Sequence, residues 1–113
     1  MINIVVVKKN NRIMTIEATG HSGYATEGSD IVCSAVSTLM ETLLNSLIDI
    51  VKINPDYKID ESIPHLSISL PKALDKAISN KVDLLMESTY LGIRKVANCY
   101  KKYIKIKEKL YDI

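Results

Sequence analysis

The chain opens on INIVVVK, residues 2–8, a β-branched run that reads as a strand. KNNR follows, and the paired Asn10 and Asn11 suit the positive φ of a tight hairpin turn. From Ile13 the pattern alternates, with Ile13, Thr15 and Glu17 set against Met14, Ile16 and Ala18. That predicts a second strand antiparallel to the first. A longer periodicity then spans about Asp30 to Lys52, with Asp30 placed to cap a helix at its N-terminus. Projected at about 100° per residue, Val32, Val36, Leu39, Met40, Leu43, Leu44, Leu47, Ile48 and Val51 cover nearly half the circumference. Glu41, Asn45, Asp49 and Lys52 gather opposite. So wide an arc is more than one sheet face needs, and it predicts packing on a second helix or across a dimer interface.

Pro55 ends this helix, and YKID beyond it reads as a further strand. HLSISL alternates Leu66, Ile68 and Leu70 with His65, Ser67 and Ser69, then stops at Pro71. From about Lys72 to Tyr100 a helical pattern runs through Leu74, Ile78, Val82, Leu85, Met86, Ile93, Val96 and Ala97, with Gly92 as an interruption. Cys99 falls in this run beside Val96 and Ala97 and reads as core packing. YIKIK near the end predicts a short edge strand whose lysines discourage sheet-to-sheet aggregation. The order ββαββα predicts an α+β domain over residues 1–113. It would have two layers, a small antiparallel sheet with two helices packed on one face.

Composition narrows the classes. At 113 residues the chain is long enough for one domain with a real core, and 47% hydrophobic with 25% charged residues is ordinary for a globular protein. There is no Phe or Trp, so Ile, Leu, Val, Met and some Tyr must build the core. No apolar run approaches the roughly eighteen residues of a membrane span, and MINIVVV lacks the basic segment and cleavage site of a signal peptide. A cytoplasmic protein without membrane contact is expected. Cys33 and Cys99 are too few for a disulfide scaffold, and with His21 and His65 they match no zinc-ligand spacing. The net charge of +2 divides unevenly, with a balance of −3 up to residue 93 and +5 from Arg94 onward. Neither stacking aromatics nor a helix-turn-helix pattern accompanies these lysines, so direct nucleic-acid binding is not expected.

The chemistry concentrates in GHSGYATEGSDIVCSAVS, residues 20–37, which holds three of the four glycines, one of the two histidines and one of the two cysteines. Cys33 falls in the first turn of the helix that Asp30 starts, where the helix dipole and free backbone N–H groups stabilise an anion. The same donors suit the oxyanion of a tetrahedral intermediate. His21 lies across a loop that Gly20, Gly23 and Gly28 make pliable, placed to act as general base toward the thiol. Asp30 has two readings, a helix cap or a third member that orients His21. Ser37, one helical turn beyond Cys33, is placed to bond the sulfur, the substrate or the carbonyl of Cys33. The spacing fits neither G-x-G-x-x-G nor G-x-x-x-x-G-K-[ST], which argues against a phosphate cradle. The residues alone leave open both a Cys–His site and a buried cysteine with a surface histidine.

The same string resembles the signature of the ribosomal-processing cysteine proteases, the Prp family, at Gly20, His21, Tyr24, Gly28, Asp30, Ile31, Val32, Cys33 and Ser37. Ser34 stands where Ala is common, and Gly23 fills a variable slot. The resemblance implies a small α+β homodimer without metal or cofactor. It implies an endopeptidase that removes an N-terminal extension from the precursor of the twenty-seventh large-subunit ribosomal protein. The cut would follow a short hydrophobic motif ending in an aromatic residue and precede a small one. Cys33 would be the nucleophile and His21 the base, supported by Asp30 and Ser37. Gly20, Gly23, Tyr24 and Gly28 would shape the substrate-binding loop. The alternative is a non-catalytic ribosome-associated module whose loop closes on a protein or RNA segment.

Overall fold

The structure, a computed structural model, describes residues 1–26, 29–60 and 65–111. Its elements are β1 (Ile2–Lys9), β2 (Arg12–Thr19), α1 (Ile31–Asn45), β3 (Asp56–Asp60), β4 (His65–Ser69), α2 (Lys76–Cys99) and β5 (Ile104–Leu110). Helix α1 continues through a π-helical stretch, Ser46–Val51, and ends at Lys52 in the left-handed conformation. Asn10 and Asn11 both hold positive φ between β1 and β2, as the hairpin turn requires.

The five strands lie in the order β3-β4-β2-β1-β5. Four pair antiparallel, but β5 pairs with β1 in parallel, so the sheet is mixed rather than antiparallel. A short apolar motif specifies a strand but not its direction. Here direction follows from the crossover: the 24-residue α2 carries the chain back along the sheet and returns β5 parallel to β4 and β1. β5 also runs on to Leu110, past the YIKIK motif.

Cross-strand rows on one face build the core, with Ile2 opposite Ile104, Ile4 opposite Ile106 and Ala18, and Ile16 opposite Val6 and Ile68. The register shifts after Val7, so Lys8 pairs with Ile13 and Met14 is skipped. This irregularity turns Ile13 inward, where it is fully buried, against the strict alternation of the sequence. Helix α1 contributes Val32, Val36, Met40, Leu43 and Leu47 to the core, and α2 contributes Val82, Met86, Tyr90 and Ile93.

The wide apolar arc of α1 is used on two sides, against the sheet and against α2. At the helix contact a Cβ on Gly92 would stand 2.9 Å from Leu39 Cδ2. Gly92 therefore does not interrupt α2, which runs through it; it lets the two helices approach closely. The segment Ile31–Val51 has a mean hydropathy of 1.6 and is long and apolar enough to cross a membrane, although no uncharged run in the sequence suggested it. In this fold its inward side chains are the core residues just named. Cys99 is exposed, not core. Six residues beyond Ile93, it points roughly 120° away from that buried position around the helix.

Candidate active site

Strand β2 ends opposite the start of β1, Thr19 facing Asn3, and the chain must turn off the sheet there. Gly20 makes the turn at φ +91, and a Cβ would lie 2.5 Å from the Met1 carbonyl oxygen. Only glycine fits. The loop beyond folds back onto the start of α1 through Ser22, a residue that sequence reasoning passed over. Ser22 is 4% exposed. Its hydroxyl donates to Asp30 Oδ2 and accepts from the Tyr24 N–H at 3.0 Å. Its own N–H donates to Cys33 Sγ at 3.3 Å. No composition or spacing signal marks it, because a serine between His and Gly looks like any loop serine until the loop closes.

Asp30 is the N-cap, and Oδ1 accepts from the Val32 and Cys33 amides at 3.0 Å each. Oδ2 takes the Ser22 hydroxyl and the Ala25 N–H, the latter at 3.3 Å. Burial by itself would raise this carboxyl's pKa, yet the donors from Ser22, Cys33, Ala25 and Val32 outweigh it and hold the pKa at about 2. The cap is thus also the anchor of the loop. Among the described residues it makes no hydrogen bond to His21. Its hold on the helix start corrects one expectation as well. The Val32 and Cys33 amides are engaged by Asp30 Oδ1, and the Ser34 amide by the Asp30 carbonyl at 3.1 Å. They are not free for an oxyanion.

A groove of about 820 Å³ gathers the chemistry. Gly20, His21, Gly23, Asp30, Cys33 and Ser37 all line it. Cys33 is half-buried, while His21 and Ser37 are exposed. No hydrogen bond joins His21 or Ser37 to the sulfur among the described residues; such contacts often tighten only around a substrate. Tyr24 does not line the groove. Its ring meets those of Tyr100 and Tyr103 edge-on, with centroids 5.5 and 5.2 Å away, which pins the loop to the end of α2. Gly28 lies outside the described residues. Facing α1, the groove is walled by the apolar Ile2, Ala18, Ile59 and Leu66.

A half-buried thiol under an aimed amide, in an open groove that an exposed histidine also lines, is unlike a core cysteine. The family model of cysteine protease Prp matches residues 1–105. The chain belongs to that family. It is a cysteine protease of the group concerned with ribosomal processing. The Prp protein of Bacillus subtilis (strain 168), named as a ribosomal processing cysteine protease, is 25% identical over 107 residues, covering 94% of this chain and 96% of its own. A crystal structure of Prp from S. aureus with a covalently linked product peptide superposes at a TM-score of 0.87, with 19% identity, covering 96% of this chain and all of that one. SMU.848 from Streptococcus mutans superposes at 0.85, with 31% identity and coverage of 98% and 96%. The Prp fold is therefore the mixed-sheet α+β arrangement described above.

Proposed function

We propose that this Prp protease removes the N-terminal extension of a large-subunit ribosomal protein precursor, that of the twenty-seventh protein, in the cytoplasm. Cys33 is the nucleophile and His21 the base. The observation that carries this reading is the groove itself, in which Cys33 Sγ, His21 and a loop amide bonded to the sulfur share one open, apolar-walled surface. Ile2, Ala18, Ile59 and Leu66 suit a hydrophobic stretch of the extension. The covalent product complex of S. aureus Prp is consistent with an acyl-transfer route for a relative.

In this mechanism His21 takes the thiol proton, and the thiolate attacks the scissile carbonyl. A C–S bond forms and the carbonyl π pair moves to oxygen. When the oxyanion collapses, the C–N bond breaks and imidazolium returns the proton to the leaving amine. Water, deprotonated by His21, then displaces Cys33 from the acyl-enzyme. Asp30 acts by position: it caps α1 under Cys33 and holds the loop that delivers His21. Ser37, one turn below Cys33, faces the same groove and contacts the substrate backbone. We further propose that the protein works as a homodimer.

The test is incubation of the precursor with the protein, read by mass spectrometry. Truncation by the wild-type chain, lost in Cys33→Ala and in His21→Ala with the fold retained, is expected. Stable binding without truncation at every enzyme ratio would instead favour the non-catalytic module.

A further inference from the structure

Ser22 holds an arrangement that a structural loop residue does not need. Its hydroxyl is buried, donates to Asp30 Oδ2 and accepts the Tyr24 N–H, while its backbone N–H faces the Cys33 sulfur at 3.3 Å. In the first turn of α1, the Val32, Cys33 and Ser34 amides are engaged by Asp30. Negative charge forming at Cys33 therefore cannot draw on them without breaking the cap. Among the described residues, the amide aimed at the reacting atom comes from the loop, at Ser22.

We propose that Ser22 is a positioning residue for the protease reaction: its hydroxyl, clamped to Asp30, holds the Ser22 N–H on Cys33. There the N–H stabilises first the thiolate and then the oxyanion of the tetrahedral intermediate. As the C–S bond forms, negative charge passes from sulfur to the carbonyl oxygen on the attacked carbon, two bonds from the sulfur. The N–H follows that charge with a small change of direction and no rearrangement of the loop. Preorganisation is the gain, because the donor is fixed before the charge appears. The inference rests on Cys33 being the nucleophile, as proposed above, but not on the identity of the substrate.

Two readouts test it. The first needs no substrate: the rate at which iodoacetamide alkylates Cys33 at neutral pH, in a Cys99→Ser background because Cys99 is exposed. Ser22→Ala should slow this alkylation severalfold. The second is cleavage of the precursor. Loss of one preorganised donor lowers kcat by about 100-fold in known oxyanion holes, and a loosened donor should cost about 10-fold or more, with KM within about twofold. Ser22→Thr, which keeps a hydroxyl, should restore both. Circular dichroism melts establish that each variant is folded. If folded Ser22→Ala reacts with iodoacetamide at the wild-type rate, or cleaves with unchanged kcat, the inference is wrong. If the hydroxyl-bearing Ser22→Thr fails as badly as folded Ser22→Ala, the hydroxyl is not what holds the amide, and the inference is again wrong. A wild-type chain that alkylates readily but leaves the precursor intact would overturn the proposed substrate instead. The alkylation comparison would still decide the role of Ser22.

Discussion

Burial alone would raise the pKa of Asp30, but the donors from Ser22, Cys33, Ala25 and Val32 bring it to about 2, below its ordinary 3.8. A carboxyl whose folded-state pKa is depressed stabilises the fold fully above its unfolded value and loses that contribution as pH falls through the folded one. Thermal melts should therefore show the loop and the start of α1 losing support between about pH 4 and pH 2. Asp30→Asn should melt lower than wild type at neutral pH, with the gap closing across that window. Parallel curves would show that the carboxylate does not anchor the loop. At the same scale, Gly20→Ala places a Cβ against the Met1 carbonyl and forces positive φ on alanine. It should cost about 1–3 kcal/mol in denaturant melts and disturb the placement of His21. Half of this was legible beforehand. The sequence marks Asp30 as a cap because an N-cap is local; the capture of Ser22 by its second oxygen is made eight residues away by a loop that must first close.

Elements were easier to place than their neighbours were. β-Branched runs, alternation and periodicity located both hairpin strands, α1 and the span of α2, since each signal is carried by consecutive residues. Gly92 was misread as a break because its reason, Leu39, belongs to another helix. Gly92→Val should overpack this contact and destabilise by about 1–3 kcal/mol. Gly92→Ala should stay close to neutral, since a gain in helix propensity of about 1 kcal/mol offsets a small shift of the Leu39 side-chain end. Urea melts separate the two. The direction of β5 was equally non-local, and side-chain contacts now secure it. Tyr90 donates to Glu108, which also pairs with Lys8 at 3.2 Å, and Arg94 lies over the Tyr90 ring. Burial, and then Glu108, push the Tyr90 pKa up to about 12. A phenol raised in the folded state contributes fully below its unfolded value near 10 and loses that contribution as pH rises through 12. Wild-type stability should fall across that window more steeply than that of Tyr90→Phe. Equal slopes would mean that Tyr90 and Glu108 do not tie β5 to α2.

For the molecule as a whole, the fold closes two neighbouring segments, eleven residues apart, onto one place. The loop after β2 supplies His21 and the Ser22 amide, and α1 supplies Cys33. The aromatic end of α2, through Tyr100 and Tyr103, braces the loop from outside the groove. That brace had no signature in the sequence, because three tyrosines separated by up to 79 positions become neighbours only when β5 returns beside β1. As a homodimer the protein should sediment at twice the 12.6 kDa of one chain; a single-chain mass at micromolar concentration would remove that proposal. The most direct measurement is mass spectrometry of the ribosomal protein precursor after incubation with the wild-type and Cys33→Ala chains. Wild type should release one N-terminal extension after a hydrophobic, aromatic-ending motif, and folded Cys33→Ala should release none. Equal truncation by both chains would show that Cys33 is not the nucleophile.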